Sequence, residues 1–222
     1  MDLLRRLATT VTGLSRLHDR VLVGINGPDG AGKTTLAGRL SDALRLPTQQ
    51  ACVDGFARRH AQRYRRGELS PDGYYLDSFD YQGLRNACLL PFLGGQPVVR
   101  TSGHERDADS RADVAVVVPP RAALVVDGVF LLRPELRELW TLSVYLRVSA
   151  RETLRRAHRR DLELFGTAEQ VQRRYLGRYL PGQVLYRLTS DPEALADLLV
   201  DNERTGSPRI ERWSLPGIEG RP

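Results

Sequence analysis

Apolar residues in the first twenty positions recur three or four apart, at Leu3, Leu4, Leu7, Val11, Leu14 and Leu17, and predict an amphipathic helix over residues 1–20 that packs on a sheet. The period then changes. Val21-Leu22-Val23-Gly24-Ile25 is continuously apolar and stops at a glycine-rich segment, as a parallel strand buried on both faces does. A helical pattern over residues 33–44 ends before Pro47. Further short apolar runs stand at 48–53, 122–126, 142–148 and 198–200, with helical patterns between them. This alternation predicts an α/β fold with a doubly wound parallel sheet covered on both faces. Residues 97–120 break the pattern, because two valine-rich runs flank the polar stretch 101–111, and a hairpin or small β flap is expected there. Residues 203–222 carry few periodic apolar positions and are read as a C-terminal tail, leaving 1–202 as one domain.

Composition narrows the class. Hydrophobic residues at 41% and charged residues at 27% suit a globular chain rather than a disordered one. The apolar runs are too short to span a bilayer and the amino terminus lacks a signal-peptide core, so the expectation is a cytoplasmic protein without membrane attachment. Cys52 and Cys88 have no metal-ligand spacing and are expected as free, buried thiols. The net charge of +6 would suit nucleic acid, but the cations are scattered among 27 acidic residues, which argues against that partner. A small-molecule substrate is expected instead, and a homo-oligomer is left open.

Among 33 basic residues the one lysine is Lys33, inside Gly27-Pro28-Asp29-Gly30-Ala31-Gly32-Lys33-Thr34-Thr35. A glycine, four residues, then Gly-Lys-Thr between a strand and a helix is a cradle for a nucleotide triphosphate. A compact ammonium fits such a loop where a planar guanidinium does not. Gly27, Asp29, Gly30, Ala31, Gly32, Lys33, Thr34 and Thr35 are therefore the candidate nucleotide-binding residues, for ATP with Mg²⁺. In that chemistry Lys33 bridges the terminal phosphates and the Thr34 hydroxyl holds the metal ion. An acid is needed near the metal, and Asp54 and Asp127 each close an apolar strand at the edge where open α/β folds bind ligands. An isolated Asp-Gly would be only a turn; two of them after buried strands point to the site.

The order of the glycine-rich loop, Val53-Asp54-Gly55-Phe56, Tyr75-Leu76-Asp77-Ser78-Phe79-Asp80, Pro97-Val98 with His104 and Arg106, and Val125-Val126-Asp127-Gly128-Val129 resembles the uridine kinase family of P-loop kinases, which is related to phosphoribulokinase. The resemblance covers roughly residues 21–202 and implies a P-loop NTPase fold with a helical lid over about 150–182 and a substrate flap. It implies that Asp54 takes the proton from the acceptor hydroxyl, that Asp77, His104 and Arg106 contact the acceptor, and that Asp127 reaches Mg²⁺ through water. Asp80 fits a helix start better than a substrate contact. Arg151, Arg155, Arg156, Arg159 and Arg160 form two adjacent stripes on one helix, either a solvated face paired with Glu152 and Asp161 or a lid over the transferring phosphoryl group. Arg156 and Arg160 match the family's lid arginines. Arg58, Arg59, Arg63, Arg65 and Arg66 form a second cluster, either plain surface or a contact for an anionic substrate.

The chain departs from that family at Val99, Arg100 and Thr101, where a stacking aromatic and an aspartate are expected, and at Phe165-Gly166-Thr167, where an Arg-Gly-Arg turn is expected. The implied activity is phosphoryl transfer from ATP to a hydroxyl, with a nucleoside such as uridine or cytidine as acceptor. The alternatives are another small acceptor, such as a sugar or a pantothenate-like molecule, and a nucleotide-binding regulatory protein without an efficient acceptor site.

Overall fold

The computed structural model describes residues 2–102 and 114–215. They carry strands β1 (Arg20–Asn26), β2 (Thr48–Cys52), β3 (Val98–Arg100), β4 (Ala115–Val117), β5 (Ala122–Gly128), β6 (Leu142–Arg147), β7 (Leu198–Asp201) and β8 (Arg209–Trp213). Six of these form one sheet in the order β2-β5-β1-β6-β7-β8, parallel except for the last pair. β1 and β5 are buried along their whole length, which explains their unbroken apolar runs.

Alternation along these strands divides the interior. Leu22, Leu124 and Val126 face one core with Phe92, Phe130 and Tyr186. Val21, Val23, Ile25, Ala123 and Val125 face the other, closed by Leu7 and Val11 of α1 (Leu3–Leu14) and by Ala37 and Leu40 of α2 (Lys33–Ala43). The doubly wound α/β fold expected from the sequence is the fold observed.

Two boundaries differ. α1 stops at Leu14, where short turns from Arg16 N to Gly13 O (3.1 Å) and from Leu17 N to Leu14 O (2.9 Å) redirect the chain to β1, leaving Leu17 72% exposed. The segment read as a tail contains β8, which pairs antiparallel with β7 through Leu198↔Trp213 and Asp201↔Arg209. Its inward residues, Ile210 and Trp213, stand three apart among charged residues and reach the second core together because the pairing shifts register between Leu199 and Val200, so no period-two pattern marks the strand.

The flap forms as expected: β3 and β4 pair antiparallel with Val99 opposite Val116. Its tip, with His104 and Arg106, lies outside the described residues. The flap backbone passes close to the end of β2, and a Cβ added at Gly55 would lie 2.8 Å from the Thr101 carbonyl oxygen.

The lid begins with the helix Ala150–Arg160, capped by Ser149 Oγ accepting from Glu152 N at 3.1 Å. It continues through Leu162–Phe165, Ala168–Arg174 and a π-helical turn, Tyr175–Tyr179, into Leu180–Ser190. Among the described residues no helix is long and apolar enough to cross a membrane.

Tyr186 on the last of these helices ties it to the central strand. Its hydroxyl accepts from Asn26 Nδ2 at 2.5 Å and from Leu132 N at 2.9 Å, all buried. Tyr186→Phe leaves both donors without this acceptor and should lower the unfolding free energy by about 1–3 kcal/mol, read by denaturant titration.

Candidate active site

Asn26 ends β1 and its Oδ1 accepts from Gly27 N at 2.9 Å, fixing the exit into the loop. Gly32 caps α2 with φ +87°, a left-handed conformation that suits glycine. Three side chains from distant parts of the chain hold the loop. Tyr74 OH donates to Asp29 Oδ2 at 2.8 Å, Asn202 Nδ2 to Ala31 O at 2.7 Å, and Arg156 Nη1 to Gly30 O at 2.9 Å. Arg156 also donates to Asn202 O and to Glu152 Oε1, both at 2.7 Å. It thus braces the lid helix against the loop and the end of β7. Gly30, Gly32, Thr35, Arg39, Arg156 and Asn202 border a cavity of about 510 Å³ on the outer side of the loop.

Parallel register brings the acids to this loop. Asp127 of β5 lies opposite Ile25 of β1 and Cys52 of β2. Its carboxylate accepts from Thr34 Oγ1 at 2.6 Å, and Cys52 Sγ lies 3.6 Å from the same oxygen. Burial pushes the Cys52 thiol far up, so it stays protonated; neither Cys52 nor Cys88 forms a disulfide. Thr34 and Asp127 offer hard oxygens suited to Mg²⁺. Among the described residues no group of three or more His, Cys, Asp and Glu could hold a metal ion. A cation at Thr34 and Asp127 would therefore take its other ligands from phosphate and water, as Mg²⁺ commonly does.

Lys33 Nζ donates to Pro28 O at 2.7 Å, inside the loop. Desolvation lowers its pKa, while Asp29, Asp54 and Asp127 oppose the change. Asp54 follows β2 in the short turn Val53–Phe56 and remains open to the cleft, although protein surrounds its other sides. That partial desolvation raises its pKa; Lys33 opposes the rise, Asp29 and Asp127 add to it, and Arg160 opposes it. The result is a carboxylate with increased proton affinity, suited to general-base work.

Asp54 borders two cavities. One, of about 390 Å³, runs past Thr34 and Asp127 beneath Thr101 and Ser102 of the flap. The other, of about 310 Å³, lies under the lid between Asp29, Tyr74, Arg160, Tyr175 and Arg178. Arg160 donates from Nε to Asp161 Oδ1 at 2.6 Å and from Nη2 to Tyr175 OH at 3.1 Å. The two lid arginines therefore separate, Arg156 on the loop and Arg160 in the second cavity.

Asp77 is only 4% exposed and accepts from Arg65 Nη2 at 2.6 Å and Arg66 Nε at 2.7 Å. Those contacts, the Arg65 hydrogen bond first, hold its pKa below the usual range against desolvation. Its carboxylate is engaged by this fork, and Asp77 does not border either cavity beside Asp54. Asp80 caps the helix Tyr81–Leu84 by accepting from Gly83 N at 3.0 Å, the structural role expected for it.

Sequence reasoning missed Tyr74, Tyr175, Arg178 and Asn202. Asn202 carried a usable signal, a polar residue after an apolar strand, the same one that marks Asp54 and Asp127.

A possible uridine kinase from Bacillus stearothermophilus superposes with a TM-score of 0.64 at 22% identity, covering 87% of this chain and 98% of that one. A candidate fructose transport system kinase from Silicibacter sp. TM1040 gives 0.63 at 25% identity, covering 83% and 95%. The chain has the uridine kinase-like P-loop kinase fold. The D-glycerate 3-kinase of Cryptococcus neoformans shares that fold, with a TM-score of 0.62 at 12% identity and coverage of 95% and 99%. No family model matches the sequence, and no curated protein does.

Within this P-loop kinase fold the Asp54 environment has a consequence for stability. Its carboxyl has an ordinary pKa of 3.8 when unfolded and a raised one when folded, so the native state holds the proton where the unfolded state has lost it. Stability therefore falls as pH rises through that window and stays lowered at neutral pH. Asp54→Asn should melt higher than the parent protein at neutral pH, and the two midpoints should converge below pH 3.8 in a thermal scan series.

Proposed function

We propose that the chain is an ATP-dependent kinase that transfers the γ-phosphoryl group to a hydroxyl of a small molecule, with Mg²⁺. Asp54 carries this reading. A base of raised proton affinity, open to a cavity next to the loop lysine, has a use when a hydroxyl must lose its proton, and little use in a nucleotide switch.

In the proposed reaction the loop amides and Lys33 hold the terminal phosphates, and Thr34 and Asp127 hold the metal ion, whose charge offsets that of the phosphates. Asp54 orients the acceptor hydroxyl and takes its proton as the oxygen attacks phosphorus. Arg160, in the cavity under the lid, neutralises charge that develops on the transferring group. Arg156 positions the loop rather than the phosphoryl group, since its donors are already engaged by backbone oxygens and Glu152.

The resemblance to uridine kinases and the Bacillus neighbour favour a nucleoside acceptor. The flap favours another hydroxyl compound: Val99 is buried, and no aromatic residue stands at 99–101 to stack on a pyrimidine. The kinase neighbours include one described for fructose transport and one for D-glycerate, so a change of acceptor fits this fold.

ADP release measured with ATP alone and with a panel of nucleosides, sugars and hydroxy acids tests the proposal. At least one acceptor should stimulate turnover strongly. Lys33→Ala and Asp54→Ala should each lower the stimulated rate by several powers of ten, on the order of 3–6 kcal/mol. Equal slow hydrolysis with every compound, or a Lys33→Ala protein at near parental rate, would sink it.

A further inference from the structure

The cavity under the lid is lined by charges of both signs that are unevenly paired. One end lies at the nucleotide loop, where Asp29 and Asp54 stand with Lys33 and Arg160. Its other end is formed by Arg178 with Tyr64 and Arg63. Tyr74 spans the two, with its hydroxyl on Asp29 at 2.8 Å and its ring centre 5.8 Å from the Arg178 guanidinium carbon.

Arg178 is 2% exposed, yet its hydrogen bonds go only to neutral oxygens. Nη2 donates to Arg63 O at 2.9 Å and Ser78 Oγ at 3.1 Å, and Nη1 to Ser70 O at 3.1 Å, with longer contacts to Glu68 O (3.4 Å) and Gly67 O (3.5 Å). The Tyr64 ring lies 4.6 Å away. Every nearby carboxylate is engaged elsewhere: Asp77 by Arg65 and Arg66, Glu68 by Arg174, Asp161 by Arg160, and Asp29 by Tyr74. Among the described residues no carboxylate pairs with Arg178. A buried cation without a counter-ion is costly, and burial accordingly lowers the Arg178 pKa. Both terminal nitrogens of Arg178 already donate to protein oxygens, so an anion entering the cavity would offset that cost through its charge.

We infer that the acceptor is itself an anion, a small hydroxyl compound whose carboxylate or phosphate group lies at the Arg178 end of the cavity while its hydroxyl reaches Asp54. The inference rests on the kinase reading and narrows its acceptor class. The partners available set the orientation: at the loop end Lys33 and Arg160 already face Asp29 and Asp54, whereas Arg178 at the other end has no carboxylate partner among the described residues.

Matched pairs of acceptors test this, with ADP release as the readout: glycerol against glycerate, ribose against ribose 5-phosphate, and fructose against fructose 6-phosphate, beside uridine and cytidine. The charged member of at least one pair should have a kcat/KM ten-fold or more above its neutral partner, and the pair that responds separates carboxylate from phosphate. In Arg178→Lys the KM for that charged acceptor should rise at least ten-fold while the KM for ATP stays at the parental value. A purely structural arginine would lower the thermal midpoint and leave the charged-to-neutral preference intact, which would overturn the inference. Preference for neutral acceptors also overturns it and spares the kinase reading; the pairs need no variant, so the result holds even if Arg178→Lys does not fold. If no acceptor stimulates turnover, the kinase reading fails, and calorimetric titration of the parent protein with ribose 5-phosphate and glycerate then decides whether the cavity binds anions. No heat with either compound would overturn the inference on its own terms.

Discussion

The register between three parallel strands determines where the chemistry can occur. Ile25 of β1, Asp127 of β5 and Cys52 of β2 lie in line across the sheet, so the loop leaving β1, the Asp127 carboxylate and the turn carrying Asp54 emerge together at one edge. The 2.6 Å hydrogen bond from Thr34 to Asp127 is a result of that alignment. A slip of one residue would turn each strand's inward set to the opposite face. Packing forbids it, because Leu22 with Leu124 and Val23 with Val125 belong to separate cores on the two faces. The apolar interior thus fixes the polar site without touching it.

What this alignment gathers is a set of charges that do not fully satisfy one another. Burial lowers the Lys33 pKa and raises that of Asp54, so both groups are pushed toward neutrality although each opposes the other's shift. Opposed shifts of this kind collect at sites that await a charged ligand. The loop itself is less free to adjust, since Tyr74, Asn202 and Arg156 hold its residues from three other parts of the fold. A cradle held from outside is organised before its ligand arrives, which is where electrostatic stabilisation of a transferring group gains most.

The legible parts of the sequence were those where a local pattern has one structural meaning. Continuous apolar runs became β1 and β5, and acids placed just after such runs became Asp54 and Asp127 at the sheet edge. β8 was harder to read because its inward residues, Ile210 and Trp213, are separated by charges and its pairing is interrupted by an irregularity between Leu199 and Val200. The lid-side cavity was not legible at all. Tyr74 and Arg178 come from two π-helical turns, Gly73–Asp77 and Tyr175–Tyr179, that meet only in the folded chain, and no spacing rule distinguishes Arg178 from the other arginines around it. Asp77 shows the converse. Its motif suggested a substrate contact, and the neighbouring Arg65 and Arg66, read as surface or as anion contacts, occupy its carboxylate instead.

The lone lysine and the abundant arginines follow from one geometric distinction. Arg156 uses its planar fork to reach Glu152, Gly30 and Asn202 at once, holding helix, loop and strand end together. Arg178 gathers carbonyl oxygens from Arg63 and Ser70 in the same manner. An ammonium, with its charge at one point on a flexible stem, could not brace such separated partners. Lys33 has the opposite task. Its Nζ contacts the Pro28 carbonyl inside a tight loop, with Asp29, Asp54 and Asp127 close by, and a guanidinium there would collide with the backbone that must wrap the phosphates. A composition that has exchanged lysine for arginine everywhere else is therefore constrained at this loop by shape, because the charge alone would have been equally well supplied by either residue.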